Sequence, residues 1–177
     1  MPGSVCVFCG SVFGNRQAYR DAAAETGQAL AKRGTRLVYG GGNVGLMGVI
    51  ADACLAAGGE VVGVIPHSMV EREIAHLGLS KLHIVGSMHE RKALMTELSD
   101  TFIALPGGFG TFDELFEILT WRQIRIHSKP VGLLNVEGYF DPLLTMADHA
   151  VKEGFLRAGD RANLIRADGI QELLARL

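Results

Sequence analysis

Three stretches hold residue types whose spacing suits them for chemistry. The first is Leu105-Pro106-Gly107-Gly108-Phe109-Gly110-Thr111-Phe112-Asp113-Glu114. An apolar run ends there, three glycines bare the main chain within four residues, and a helical pattern begins. The free N–H groups and positive dipole end of a helix N-terminus bind phosphate. Glu114 follows one turn later, off the apolar stripe. The T-x-x-E spacing of Thr111 and Glu114 also reads as a capping box, which would need no ligand. A capping box does not need three glycines, and their excess favours a ligand. No Lys follows Gly110, so the segment is not a P-loop.

The second stretch is Met88-His89-Glu90-Arg91-Lys92, at the start of a helical pattern. A helix dipole opposes two cations there, so an anion or carboxylate nearby explains them better than solvent does. Arg91 offers a planar fork suited to carboxylate or phosphate. The third is Tyr39-Gly40-Gly41-Gly42-Asn43-Val44-Gly45-Leu46-Met47-Gly48. Gly40-x-Gly42-x-x-Gly45 matches the dinucleotide fingerprint, but it is not on the first strand–helix turn and lacks an acid at the end of the next strand. Gly41 and Gly42 therefore read as a wall for a phosphate or sugar, with plain helix packing as the alternative. Cys6-x-x-Cys9 falls in a strand, where residues three apart point to opposite faces; both cysteines read as small buried apolar groups. The six histidines have no ligand spacing, and no metal is expected.

These stretches need elements to hold them. Strand-like runs at Val5–Cys9, Arg36–Tyr39, Val61–Ile65, Leu82–Val85, Thr101–Leu105, Val131–Asn135 and Asn163–Arg166 alternate with helical patterns. The helices read as Arg16–Arg33, Val44–Ala57, Met88–Leu98, Thr111–Arg125, Tyr139–Lys152 and Ile170–Leu177. In Thr111–Arg125 the residues Phe112, Leu115, Phe116 and Leu119 form the apolar stripe. Apolar strands separated by helices predict an α/β fold: a Rossmann-like, doubly wound, mostly parallel sheet flanked by helices, in a single domain over 1–177. Ligands of such folds lie beyond the carboxyl ends of the strands, where both glycine clusters fall.

Composition narrows the class. Of 177 residues 48% are hydrophobic and 20% charged, enough apolar material for a core. Glycine, with 23 residues, is at about twice its ordinary frequency. A net charge of −2 with no basic stripe argues against nucleic-acid or anionic-membrane partners. No apolar run reaches a membrane span, no secretory signal is evident, and three cysteines make no disulfide framework. A reduced, cytoplasmic protein is expected.

Pro106–Glu114 resembles the PGGxGTxxE signature of the LOG ("lonely guy") family of cytokinin riboside 5'-monophosphate phosphoribohydrolases, with Phe109 in the variable position. Met88-His89-Glu90-Arg91-Lys92-Ala93, Gly40-Gly41-Gly42 with Gly45-Leu46-Met47-Gly48, and Lys129–Asn135 are similar to further blocks of that family. The resemblance spans nearly the whole chain. It implies hydrolysis of the N-glycosidic bond of an N6-substituted adenosine monophosphate, yielding free base and ribose 5-phosphate, without a cofactor. It makes Arg91 and Glu114 the catalytic pair, and Gly107, Gly108, Gly110 and Thr111 the holders of the 5'-phosphate. Lys92, Glu73 and Thr120 match substrate-contact positions. It also implies a homodimer with the site near the subunit interface; apolar residues beyond one stripe on the Phe112–Arg125 helix, Trp121 among them, are compatible with that. Proteins of this kind have been called lysine decarboxylases, but no pyridoxal-phosphate site is evident in the residues. Two rival readings are a broader nucleosidase that cleaves AMP and a nucleotide-binding protein without turnover. Met95 and Leu46 are candidates for lining a base pocket.

Overall fold

The computed structural model describes residues 3–70 and 74–177. Seven strands form one sheet: β1 (Ser4–Phe8), β2 (Arg36–Tyr39), β3 (Val61–Pro66), β4 (Lys81–Val85), β5 (Thr101–Ala104), β6 (Val131–Leu134) and β7 (Leu164–Ala167). Their order is β4-β3-β2-β1-β5-β6-β7, and every pairing is parallel, not merely most of them. Between them run α1 (Gln17–Lys32), α2 (Gly45–Ala56), α3 (Met88–Glu97), α4 (Phe109–Gln123), α5 (Asp141–Lys152), α6 (Ala158–Ala162) and α7 (Ile170–Arg176). Among the described residues no helix is long and apolar enough to cross a membrane.

The central strands are buried on both faces, hence their unbroken apolar runs. Val5, Val7 and Cys9 enter one core with Leu30, Ile50 and Leu173. Cys6 and Phe8 enter the other with Phe102, Met95 and Leu115. The two cysteines thus face opposite sides of the sheet, as the period of a strand requires, and both are free thiols.

Several local expectations are corrected. Helix α4 starts at Phe109, with Gly108 as its N-cap, so Thr111 lies inside the first turn and the Thr111–Glu114 capping box does not form. A capping box forms at α3 instead. Ser87 Oγ accepts from the Glu90 N–H at 3.1 Å, and Glu90 Oε2 accepts from the Gly86 N–H at 2.8 Å. Phe116 is 52% exposed and not part of the inward stripe; Ile118 takes its place beside Leu115. Leu46 and Met95, candidates for a base pocket, lie inside the two cores at 1% exposure each. Helix α5 begins at Asp141, because Asn135 Oδ1 takes the Phe140 N–H at 2.8 Å and holds residues 136–138 in a tight turn. The short α6 has no apolar period of its own and is not expected from the sequence.

Candidate active site

The strand order reverses between β1 and β5. From β1 the chain winds towards β4; from β5 it winds towards β7. Their carboxyl ends therefore open a crevice at the switch point, where ligands of such sheets bind. The Gly10 N–H donates to the Pro106 carbonyl across it at 3.1 Å, and the Leu46 N–H donates to the Gly10 carbonyl at 3.0 Å. Three turns, after β1, β2 and β5, are thus tied together at one point.

The glycines of the β5–α4 turn divide into two kinds. Gly107 is needed for packing: a Cβ there would collide with Thr111 Oγ1 and lie 2.9 Å from the Gly10 nitrogen. Gly108 and Gly110 are not. Among the described residues nothing lies within 4 Å of a Cβ at either, and neither has a positive φ. A glycine at Gly110 weakens the helix by up to about 1 kcal/mol relative to alanine. Side-chain packing requires neither glycine, although Gly108 serves as the N-cap, and the exposed main chain of a helix N-terminus suits an anion.

Arg91 is 4% exposed. Its Nε donates to the Val64 carbonyl at 3.0 Å and its Nη2 to the Gly40 carbonyl at 2.7 Å, while Nη1 lies 3.8 Å from the sulfurs of Met69 and Met88. A Cβ on Gly40 would collide with that Nη2, so Gly40 makes room for the guanidinium. Glu114, half-buried, stands on the facing helix. Arg91 and Glu114 both act on the Cys6 thiol: burial pushes it up first, Glu114 pushes it further, and a hydrogen bond with Ser99 and the Arg91 charge draw it down. Cys9 is pushed well up by burial and then by Glu114. Both charges are thus felt at β1, while the hydrogen bonds of Arg91 itself hold it against β3 and the turn after β2. Lys92 is turned to α4, with Nζ 2.8 Å from Glu117 and 3.1 Å from Asp113. Burial alone would lower its pKa, but those two carboxylates raise it.

Other sequence candidates are spread around this centre. Gly41 and Gly42 adjoin it, but the Gly41 carbonyl accepts the His76 N–H at 3.0 Å and the Gly42 carbonyl accepts the Tyr39 hydroxyl at 3.1 Å; much of their main chain is committed to packing. Phe109 is 90% exposed beside the open glycines. Thr120 lies about 15 Å along α4 from Gly110, its hydroxyl donating to the Phe116 carbonyl at 2.7 Å, and does not join the turn. Glu73 lies outside the described residues. One contact has no counterpart in the sequence reading: the Tyr139 hydroxyl donates to the Gly107 carbonyl. The two lie 32 positions apart, and no spacing rule links them.

A family model described as "Possible lysine decarboxylase" matches residues 47–177. The residues do not fit the pyridoxal phosphate that such a reaction uses. A Schiff-base lysine must lose its proton readily, whereas Lys92 is held charged by two carboxylates and Lys129 Nζ donates to the Thr96 carbonyl at 2.7 Å. Among curated proteins, the chain is 53% identical over 175 residues to the probable cytokinin riboside 5'-monophosphate phosphoribohydrolase LOGL1 of Oryza sativa subsp. japonica, covering 99% of this chain and 78% of that protein. It is 50% identical over 173 residues to the cytokinin riboside 5'-monophosphate phosphoribohydrolase LOG1 of Arabidopsis thaliana, covering 98% and 81%. Among solved structures, a molybdenum cofactor binding protein from Rippkaea orientalis matches with TM-score 0.75 at 23% identity, over 99% of this chain and 95% of that one. The Moco carrier protein of Chlamydomonas reinhardtii matches with TM-score 0.72 at 21% identity, over the whole of both chains. The structural likenesses carry the fold alone; half-identity over nearly the full length carries more, and by it the chain belongs to the LOG family.

Proposed function

We propose that the chain hydrolyses the N-glycosidic bond of N6-substituted adenosine 5'-monophosphates, releasing the free cytokinin base and ribose 5-phosphate. The observation that carries this reading is the pair of glycines, Gly108 and Gly110, that packing does not require, at the switch point of the sheet and one helical turn from Glu114. The names of relatives at about half identity agree with it.

In this reading the amides from Gly108 to Thr111 hold the 5'-phosphate, with Gly107 shaping the turn and Phe109 flanking it. The ribose then lies towards Glu114. As the bond from C1' to the base nitrogen breaks, positive charge develops on the sugar, and the Glu114 carboxylate stabilises it, as in glycoside hydrolysis. Water adds its oxygen to C1', and its proton balances the departing base. A guanidinium is a poor general acid, so Arg91 binds and orients rather than donating a proton. Lys92, held between α3 and α4, and the Gly41–Gly42 wall complete the substrate-facing set, with Thr120 and Glu73 carried over from the family pattern.

The proposed working unit is one domain spanning the chain, paired as a homodimer in a reducing, cytoplasmic setting that suits three free buried thiols. An apolar groove of about 670 Å³ between α4, α5 and α6 supports the pairing; Phe116, Met146 and Phe155 stand exposed along it, and Thr120 lies on its wall. A solution mass of two chains at micromolar protein is expected, and a monomer would remove the dimer.

The function is tested by incubating the protein with N6-isopentenyladenosine 5'-monophosphate and measuring free base and ribose 5-phosphate. Equal release of both is expected from the wild type, and none above background from Glu114→Gln. A wild type that binds the nucleotide and releases nothing would make this a carrier.

A further inference from the structure

The contact between Tyr139 and Gly107 is braced from several directions. Tyr139 ends a tight turn, residues 136–138, that holds Glu137 at φ 53° and Gly138 at φ 72°. A positive φ is unusual for a glutamate. The turn is pinned on both sides: Arg16 Nη1 lies 3.0 Å from Glu137 Oε2, and Asn135 Nδ2 donates to Asp141 Oδ1 at 2.8 Å. The Tyr139 ring is fixed edge-on by Tyr19, with centroids 5.7 Å apart, and by Phe140, at 5.1 Å. All of this brings one hydroxyl to one carbonyl of the β5–α4 turn.

That carbonyl belongs to the peptide joining Gly107 to Gly108. A trans peptide points its N–H opposite to its C=O. Whatever holds the Gly107 carbonyl therefore also sets the direction of the Gly108 N–H. A peptide between two glycines has little steric preference of its own and turns over readily. Here no side chain of the turn prevents that, because a Cβ at Gly108 would meet open space.

We propose that Tyr139 is a positioning residue: by holding the Gly107 carbonyl, its hydroxyl keeps the Gly108 N–H aimed outward at a bound phosphoryl group. This rests on the reading of the turn as a phosphate cradle. Tyr139 touches no substrate in the proposal; it acts through the peptide.

The test removes the hydroxyl alone. Ribose 5-phosphate is titrated calorimetrically into wild type, Tyr139→Phe and Tyr139→Leu, and kcat and KM are measured with the nucleoside monophosphate and with its nucleoside. Tyr139→Phe is expected to weaken ribose 5-phosphate binding roughly tenfold, about one charge-assisted hydrogen bond. The kcat/KM for the monophosphate should fall by a similar factor, and kcat/KM for the nucleoside should be unaffected. Tyr139→Leu should do no worse on phosphate affinity than Tyr139→Phe. If Tyr139→Phe binds ribose 5-phosphate like the wild type while Tyr139→Leu does not, the ring packs and the hydroxyl positions nothing, and the proposal fails. Equal losses on monophosphate and nucleoside would overturn it as well. A wild type that does not bind ribose 5-phosphate would sink the cradle reading and this inference together.

Discussion

Arg91 shows how a charged side chain is held by a residue with no side chain at all. Gly40 leaves the space its guanidinium fills, and two main-chain carbonyls accept hydrogen bonds from it. Glu114 is not the acid of a capping box, because α4 is capped at Gly108 and Thr111 lies within the first turn. Glu114→Gln should abolish release of base, by a factor of about 10² or more for a group acting on the reacting centre, in a variant that still folds. An active variant that unfolds early would make the acid a structural one. The sequence singles out both as candidates, Arg91 as a cation against a helix dipole and Glu114 as an acid off the apolar stripe. Tyr139 is not singled out. Its role depends on a tertiary approach between the β5–α4 and β6–α5 turns, and sequence spacing carries no trace of that.

Among the elements, strands and long helices were legible because each has one period. Residues 5–8 alternate between two cores, and α1 and α2 repeat their small apolar residues on the face between them. What failed was local competition. Two S/T-x-x-E spacings precede helices; the one at Ser87 forms and the one at Thr111 does not, since the glycines let α4 begin two residues early. Phe116 fitted the stripe by period yet stands outward on the groove, and α6 is too short to show any period. The end of α4 holds a pH-sensitive tie. His127 Nε2 donates to the Ile118 carbonyl at 3.0 Å, and its Nδ1 accepts the Lys129 N–H at 3.1 Å, an arrangement that needs the neutral ring. Burial lowers its pKa, the Ile118 carbonyl opposes this, and the Lys129 and Arg122 charges lower it further. The unfolded chain thus takes up this proton first, at an ordinary value of about 6.5. The contribution is complete above that value and is lost as pH falls below it through the lowered folded pKa. It should amount to about a few tenths of a kcal/mol, since solvent screens the half-buried ring. Between pH 7.5 and pH 5 the urea midpoint should fall further for wild type than for His127→Gln; equal falls would remove the tie.

At the scale of the molecule, the all-parallel order puts its one reversal between β1 and β5. The turns after β1, β2 and β5 meet there, with Arg91 arriving from α3 and Glu114 from α4. In the proposed function the sheet sets the anion cradle against the acid, and the substrate's phosphate is the handle that brings the sugar to the acid. Binding energy used in this way appears in rate as well as affinity. The most direct measurement is kcat/KM for N6-isopentenyladenosine 5'-monophosphate against N6-isopentenyladenosine, on the same protein with release of free base as the readout. The monophosphate should be favoured by a factor of about 10³ or more, with kcat itself lower for the nucleoside. Comparable efficiency on the two would contradict the account, because the glycine turn would then hold nothing the reaction needs.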